Sequence, residues 1–240
     1  MRVIVCKDYE EMSDVAARAV AEVMNRNPHA VLGLATGSTP EGMYDRLVEM
    51  NRDGEIDFSG ITTVNLDEYY PISPENEQSY RYFMNKHLFD RVNIKKENTY
   101  VPDGTAPDAM AEAAPYEAFV QSLGGADLQI LGIGRNGHIA FNEPEAALYP
   151  ETHVTALTAD TIQANARFFA SEDEVPRAAL TMGMGTILSA KKIVILANGE
   201  GKREAVRRML DGRVGCDCPA SFLHLHRNVT LICDESAMGK

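Results

Sequence analysis

The sequence has little positive charge and no apolar run long enough to cross a membrane. It has 23 Lys and Arg against 35 Asp and Glu, a formal net charge of −12 at pH 7. This balance disfavours the broad basic face that nucleic-acid binding needs, and no segment approaches the roughly 20 apolar residues of a membrane helix. The start, MRVIVCKDYEEM, turns acidic too soon for a signal peptide. We therefore expect a cytoplasmic protein that binds neither nucleic acid nor membrane.

Cysteine is also scarce, with four in the chain: Cys6, Cys216, Cys218 and Cys233. Without a secretory signal we expect reduced thiols. Cys216 and Cys218 precede His224 and His226, which raises the hypothesis of a zinc site. Structural zinc sites usually have about two to four residues between paired cysteines, whereas a single residue separates this pair. The spacing favours buried or loop thiols, and no metal is predicted.

Short apolar runs alternate with helical patterns along a chain without repeats or low-complexity tracts. Buried strands are predicted at VIVC near the start and at Ala30–Leu34, Thr62–Leu66, Leu128–Ile133, Ile193–Ala197 and Val229–Cys233. Helices are predicted at Asp8–Asn25, Pro40–Asp53, Ser79–Phe89, Asp108–Leu123, Ala178–Ser189 and Lys202–Leu210. This alternation predicts an α/β fold, a parallel sheet with helices on both faces. We expect one domain, 1–240, in which the less periodic stretch Thr158–Pro176 is a candidate lid.

Residues after the strands are the first candidates for chemistry, because parallel sheets bind ligands at the carboxyl ends of their strands. The loop Gly37-Ser38-Thr39 follows the second predicted strand and leads into a helix, whose free amides can bind phosphate. Ser38 or Thr39 can instead cap this helix, and the local sequence leaves both interpretations open. A later turn with two glycines and Lys202 also begins a helix and favours an anion. A solvated surface charge is the alternative for Lys202.

Two adjacent carboxylates, Asp67 and Glu68, follow the strand predicted at Thr62–Leu66. Such a pair at a strand end is unusual unless something polar faces it, and one of the two can serve as a general base. The alternative is a capping or turn aspartate. On the local sequence alone, the capping or turn aspartate is the favoured interpretation.

The segment Gly132–Pro144, GIGRNGHIAFNEP, is predicted to be an active-site loop. It contains the letters G-x-G-x-x-G, but a dinucleotide site requires a helix directly afterwards, and Pro144 opposes one. Asn136, His138 and Glu143 instead lie within eight residues. Histidine moves protons near neutral pH, and a nearby carboxylate can orient it and hold it charged. We therefore expect an enzyme that acts on a phosphorylated small molecule.

Motifs along almost the whole chain resemble the glucosamine-6-phosphate deaminase family, also called glucosamine-6-phosphate isomerases. The motifs are LATGSTPEGMY, NLDEYYPISPENEQSY, GIGRNGHIAFNEP, ALTMGMGTIL and LICDESA. The resemblance implies a modified Rossmann-like parallel sheet. It also implies conversion of glucosamine 6-phosphate and water into fructose 6-phosphate and ammonia, in amino-sugar catabolism, without a metal or redox cofactor.

The same resemblance implies roles for individual residues. His138 resembles the residue that moves a proton to and from the ring oxygen, and Asn136 and Glu143 resemble its supports. Asp67 matches the carboxylate that moves a proton between C2 and C1. The implied phosphate-binding set is Gly37, Ser38, Thr39, Arg167 and Lys202.

Three departures from the longer members of this family bear on regulation. Asn136 stands where many of them have an aspartate, so the imidazolium of His138 has one negative neighbour fewer. His153 and Thr155 occupy positions at which longer, hexameric members bind an effector phosphate with basic residues. The chain also ends soon after CDESA. We therefore expect a monomer without an allosteric effector.

Three other functions fit parts of the sequence less well. A 6-phosphogluconolactonase has a related fold, but its loop typically has an aspartate before Gly-His and lacks Phe-Asn-Glu-Pro, so Glu143 argues against it. A non-catalytic sugar-phosphate sensor has little need to keep Asp67, His138 and Glu143 together. A nicotinamide oxidoreductase is disfavoured by the residues that follow His138.

Overall fold

The computed structural model describes residues 1–158, 162, 169, 171 and 174–240. Its strands are β1 (Arg2–Cys6), β2 (Val31–Leu34), β3 (Thr62–Asn65), β4 (Asp67–Tyr70), β5 (Thr99–Tyr100), β6 (Leu128–Gly132), β7 (His153–Ala156), β8 (Ala178–Thr181), β9 (Ile193–Ala197) and β10 (Val229–Asp234). Seven strands form a central sheet in the order β1-β10-β9-β6-β2-β3-β5. Every neighbouring pair in this sheet is parallel.

The α-helices of the described residues are α1 (Tyr9–Arg26), α2 (Ser38–Arg52), α3 (Tyr80–Met84), α4 (Ala109–Ser122), α5 (Met184–Leu188), α6 (Arg203–Leu210) and α7 (Glu235–Met238). Helix α1 shows why they form. The Asp8 carboxylate accepts a hydrogen bond from the Glu11 amide and caps the first turn. Met12, Ala16 and Val20 recur at helical spacing and are fully buried, so this face packs on β10 and α2.

The chain order within the sheet places helices on both of its faces. From β1 through β2 and β3 to β5 the chain moves towards one edge of the sheet, and from β5 through β6 and β9 to β10 it returns. Because such crossovers are right-handed, the helices of the outward and return paths lie on opposite faces. The predicted Rossmann-like fold is confirmed. Neighbouring strands β2 and β6 lie where the direction reverses, and such a switch point is where open α/β sheets bind ligands.

A second sheet of three antiparallel strands, β4-β8-β7, was not predicted. The helix predicted at Ala178–Ser189 is wrong in its first part, because Ala178–Thr181 forms β8 and only Met184–Leu188 is helical. Alanine and leucine favour a helix locally, but pairing with strands on both sides outweighs that preference. Strand β8 is central in this small sheet, and its last three residues are buried.

The remaining boundaries differ little from the sequence prediction. The six predicted central strands agree to within about two residues, as expected of element ends. The two-residue edge strand β5 was not predicted. The predicted helix Ser79–Phe89 is α3 followed by a π-helical turn at Asn85–Phe89, and the turn Glu200–Lys202 before α6 is a 3-10 helix. Most of the candidate lid, Thr158–Pro176, lies outside the described residues, so the lid stays a prediction. No helix in the described part of the chain is long and apolar enough to cross a membrane.

Candidate active site

A histidine, a carboxylate and an amide form a hydrogen-bonded unit in the loop after β6. The Nδ1 atom of His138 lies 3.2 Å from Oε2 of Glu143. Asn136 donates from Nδ2 to the same oxygen at 2.7 Å, and its Oδ1 accepts from the His138 amide at 3.1 Å. The Glu143 side chain is 4% exposed and the His138 side chain 29%. A buried carboxylate therefore orients a histidine that remains accessible from outside.

The His138 ring packs against the backbone of Gly134, where only a residue without a side chain leaves room for it. A Cβ on Gly134 would lie 2.3 Å from both Cε1 and Nε2 of His138. No real Cβ approaches a ring that closely, so a side chain at this position would displace the imidazole. Gly134 thus serves the close approach of a side chain, and this role needs no dinucleotide.

Strand β8 connects this loop to the strand that carries Asp67. The amide of Phe141 donates to Oγ1 of Thr181 at 3.2 Å, and Asn142 Nδ2 donates to the Met182 carbonyl at 2.8 Å. In the antiparallel register Thr181 lies opposite Asp67. The loop with His138 and the strand with Asp67 are thus attached to the same end of β8.

The structure distinguishes the two adjacent carboxylates. Both oxygens of Glu68 are occupied: Oε1 accepts from the amides of Tyr69 and Tyr80 at 2.9 and 2.8 Å, and Oε2 accepts from the Ser79 hydroxyl and the Arg81 amide, both at 2.9 Å. Glu68 therefore caps the first turn of α3 and is not available as a base. The capping interpretation applies to Glu68, although the sequence suggested it for the aspartate.

Asp67 has the properties of a desolvated base. It is 6% exposed, and none of the hydrogen bonds among the described residues involves its carboxylate. Burial raises the pKa of Asp67 well above its usual value, and the neighbouring negative charge of Glu68 raises it further. A carboxylate without hydrogen-bond donors and with raised proton affinity is suited to take a proton from carbon.

Aromatic side chains from both segments pack together beside Asp67. The Tyr69 ring lies 4.8 Å from that of Tyr80 and 5.6 Å from that of Phe141, between ring centroids. Tyr80 and Phe141 are stacked at 6.1 Å with an interplanar angle of 5°. Burial raises the pKa of Tyr69 to about 12, so its hydroxyl stays neutral at physiological pH. These rings give the base an apolar wall.

Three loops meet at the carboxyl ends of the adjacent strands β2, β6 and β9. Gly37 is the N-cap of α2 with φ 93°, and no side chain caps this helix, so Ser38 and Thr39 do not fill the capping role. Thr39 Oγ1 instead donates to Asn198 Oδ1 at 2.7 Å, and Lys202 Nζ donates to the Ile133 carbonyl at 2.6 Å. Uncapped amides and a lysine therefore lie at one edge of the sheet, an arrangement that suits a phosphate.

One backbone amide of the second glycine turn binds an anion of the protein itself. The Gly199 amide donates to both oxygens of Asp234, at 3.0 and 2.9 Å, so an acid occupies this turn. The contribution of the turn comes from Lys202, whose pKa is lowered by burial and then by the nearby charge of Arg135. The predicted phosphate ligand Arg167 lies outside the described residues.

The histidines of the zinc hypothesis have other partners. His224 Nε2 lies 2.7 Å from the Met209 carbonyl, and His226 Nε2 lies 2.7 Å from the Ala190 carbonyl. Cys218 is buried and Cys216 half-buried. Among the described residues no three acidic, histidine or cysteine side chains are grouped as metal ligands would be.

Sequence reasoning missed two residues of this site. Thr181 was assigned to a helix, and only its pairing opposite Asp67 shows that it joins the two segments. The cap by Glu68 had a local signal, because Ser79 begins the helix pattern after Pro71. That signal did not show whether Asp67 or Glu68 reaches the start of this helix.

The fold and the site together define a Rossmann-like α/β protein with acid–base side chains, and with an uncapped helix start and a lysine at its switch point. A family model described as glucosamine-6-phosphate isomerases/6-phosphogluconolactonase matches residues 8–232, and the chain belongs to this family. Two similar relatives are glucosamine-6-phosphate deaminases. The one from Clostridium perfringens strain ATCC 13124 is 56% identical over 99% of this chain and 98% of its own. The one from Bacillus velezensis is 52% identical over 100% and 99%.

Solved structures separate the two branches of the family. A monomeric glucosamine-6-phosphate deaminase superposes with a TM-score of 0.97 at 49% identity, covering 100% of this chain and 99% of that one. A 6-phosphogluconolactonase from Trypanosoma brucei superposes with a TM-score of 0.78 at 19% identity, covering 99% and 97%. The second similarity shows a shared fold alone.

Proposed function

We propose that this protein is a glucosamine-6-phosphate deaminase, which converts glucosamine 6-phosphate and water into fructose 6-phosphate and ammonia. The observation that carries the proposal is that two proton-transfer groups, His138 and Asp67, lie on segments attached to the same end of β8. His138, oriented by the buried Glu143, is accessible from outside, and Asp67 is buried without hydrogen-bond donors among the described residues. Ring opening needs an acid and isomerisation needs a separate base.

The first step opens the sugar ring. A closed ring has no free carbonyl, so a proton must reach the ring oxygen as the bond between C1 and that oxygen breaks. His138 delivers the proton from Nε2, because Nδ1 faces Glu143. Asn136 binds both Glu143 and the His138 backbone, so it fixes the direction in which the ring points.

The second step moves a proton from C2 to C1. Once C1 is a carbonyl carbon, the C2 proton is acidic enough for the Asp67 carboxylate to remove. Return of a proton at C1 turns the enolamine into an imine at C2. Water adds to C2 and ammonia leaves, which gives fructose 6-phosphate with no change in overall oxidation state.

The phosphate holds the reacting carbons in place. Gly37, Ser38 and Thr39 offer the uncapped start of α2, and Lys202 adds a positive charge. Arg167 is retained as a fifth candidate on the family resemblance alone. Binding energy from this remote group positions C1 and C2 against the acid and the base.

We further propose that the protein acts in the cytoplasm as a monomer without an allosteric effector. The similar solved deaminase is described as monomeric, which supports the proposed monomer. His153 and Thr155 carry no permanent positive charge at the positions compared with the effector site of longer relatives. Burial lowers the pKa of His153, so it adds little positive charge at neutral pH.

Incubating the purified protein with glucosamine 6-phosphate, and separately with 6-phosphogluconolactone, tests the function. We expect equal amounts of ammonia and fructose 6-phosphate from the first substrate and no hydrolysis of the second above the uncatalysed rate. Lactone hydrolysis without ammonia would instead identify a lactonase. Light scattering that finds a stable hexamer would contradict the monomer.

The role of Asp67 has its own test, which uses solvent deuterium. The variant Asp67→Asn should lose exchange of the C2 proton with solvent, while Glu77→Gln, an exposed change on the segment after β4, should keep it. Continued deuterium incorporation by Asp67→Asn would remove this residue from the base role.

A further inference from the structure

Arg135 lies beside Lys202 on the edge of the sheet assigned to the phosphate. A Cβ on Gly201 would be 3.5 Å from Nε of Arg135, so the guanidinium rests against the turn that precedes Lys202. Lys202 in turn donates to the carbonyl of Ile133, two residues before Arg135. The two cations are therefore held next to each other by the backbone of two adjacent loops.

No carboxylate among the described residues neutralises Arg135. None of the ion pairs or hydrogen bonds found among them involves its guanidinium, although the protein has a net charge of −12. The arginines of the neighbouring helix α6 each pair with an acid instead, namely Glu200, Glu204 and Asp217. Two like charges placed together without an acid disfavour each other, and an anion between them would remove that cost.

The same edge contains the other elements that a phosphate requires. Strands β9, β6 and β2 are neighbours, so the loops 198–202, 133–136 and 37–39 leave the sheet side by side. The Thr39–Asn198 hydrogen bond joins the first of these loops to the third, and Lys202 joins the first to the second. Arg135 is exposed at the rim of this group.

We propose that Arg135 is a further cationic ligand of the substrate's phosphate, beside Lys202 at the binding edge. The inference rests on the proposed function and adds a residue to the phosphate-binding set. A guanidinium presents paired N–H donors that match two phosphate oxygens. Because Arg135 belongs to the loop that contains His138, phosphate binding also fixes this loop when the sugar is present.

Kinetics of Arg135→Ala and Arg135→Gln test the assignment, with Arg227→Ala as the matched control. Arg227 is equally exposed but precedes β10 at the opposite, amino edge of the sheet. For both Arg135 variants we expect KM to rise about five- to tenfold with kcat within about twofold, as for lost uniform binding. The inhibition constant of inorganic phosphate should rise by the same factor, and Arg227→Ala should change neither constant.

A second measurement separates this inference from the proposed function. Inorganic phosphate should raise the Tm of the wild type, at ionic strength matched with sodium chloride, more than it raises that of either Arg135 variant. A wild type that releases no ammonia refutes the deaminase, and this measurement still tests Arg135. Unchanged KM, or a lower kcat with an unchanged inhibition constant for phosphate, would overturn the role of Arg135.

Discussion

Replacing Glu68 with glutamine should destabilise the protein although the change preserves shape. The carboxylate accepts four hydrogen bonds, two at each oxygen, and the residue is 2% exposed. Glutamine keeps one oxygen, so its NH2 group replaces an oxygen that accepts two hydrogen bonds. The start of α3 then loses half of its cap.

The size of the effect follows from the number of lost bonds. Two hydrogen bonds to a charged acceptor contribute about 1.5–3 kcal/mol each, so about 3–6 kcal/mol is lost. Burying a neutral amide costs less free energy than burying a carboxylate, and this difference offsets part of the lost stability. We therefore expect the free energy of unfolding to fall by about 2–4 kcal/mol. Because a domain has about 5–15 kcal/mol in total, the variant should still fold.

Urea denaturation followed by circular dichroism measures the free energy of unfolding. Glu77→Gln is the control, because Glu77 is exposed on the loop before α3 and should change stability by less than about 0.5 kcal/mol. Ser79→Ala removes the hydroxyl that donates to Glu68 and accepts from the Tyr82 amide, and should lose about 2 kcal/mol. If the free energy of unfolding of Glu68→Gln matched that of the wild type within about 0.5 kcal/mol, the four hydrogen bonds of Glu68 would not stabilise the start of α3.

Three further predictions concern Asp67 and the histidine loop. Because the base must be ionised and the pKa of Asp67 is raised, kcat/KM should fall with decreasing pH in a range above that of an ordinary aspartate. A pH–rate profile with its acidic limb in the ordinary range would contradict this. The raised pKa also means that ionised Asp67 destabilises the fold above that pKa. Asp67→Asn should thus raise the urea midpoint at pH 8, and a lower midpoint would exclude the desolvation argument. Gly134→Ala should displace the His138 ring and lower kcat about 100-fold or more, as for a lost general acid. Gly132→Ala, whose Cβ would meet no atom within 4 Å, should remain active.

The central sheet and the candidate residues could be predicted because their signals are local. Six of the seven central strands are short apolar runs, and His138, Asn136 and Glu143 lie within one loop. The edge strand β5 has only two residues and lacks this signal. Asp67 follows directly after one of the apolar runs. The topological rule for parallel sheets then brings the ends of these strands together without any further information.

The small sheet could not be predicted because its pairing is not local. Strand β8 joins residues that are more than a hundred positions apart, Asp67 and Thr181, and its own sequence favours a helix. The assignment of Glu68 as the cap and Asp67 as the base also depended on which carboxylate faces α3. Two adjacent side chains of a strand point to opposite sides, but the sequence does not say which side is which.

One short strand, β8, contacts both the loop of His138, the proposed acid, and the strand of Asp67, the proposed base. The loop of His138 and the strand of Asp67 are fastened to Thr181 and its neighbour, outside the large sheet that forms most of the core. The spacing proposed for the acid and the base therefore depends on β8 as well as on the ends of β2 and β6 in the large sheet. For protein engineering, β8 is the segment to leave unchanged when the rest of the scaffold is redesigned.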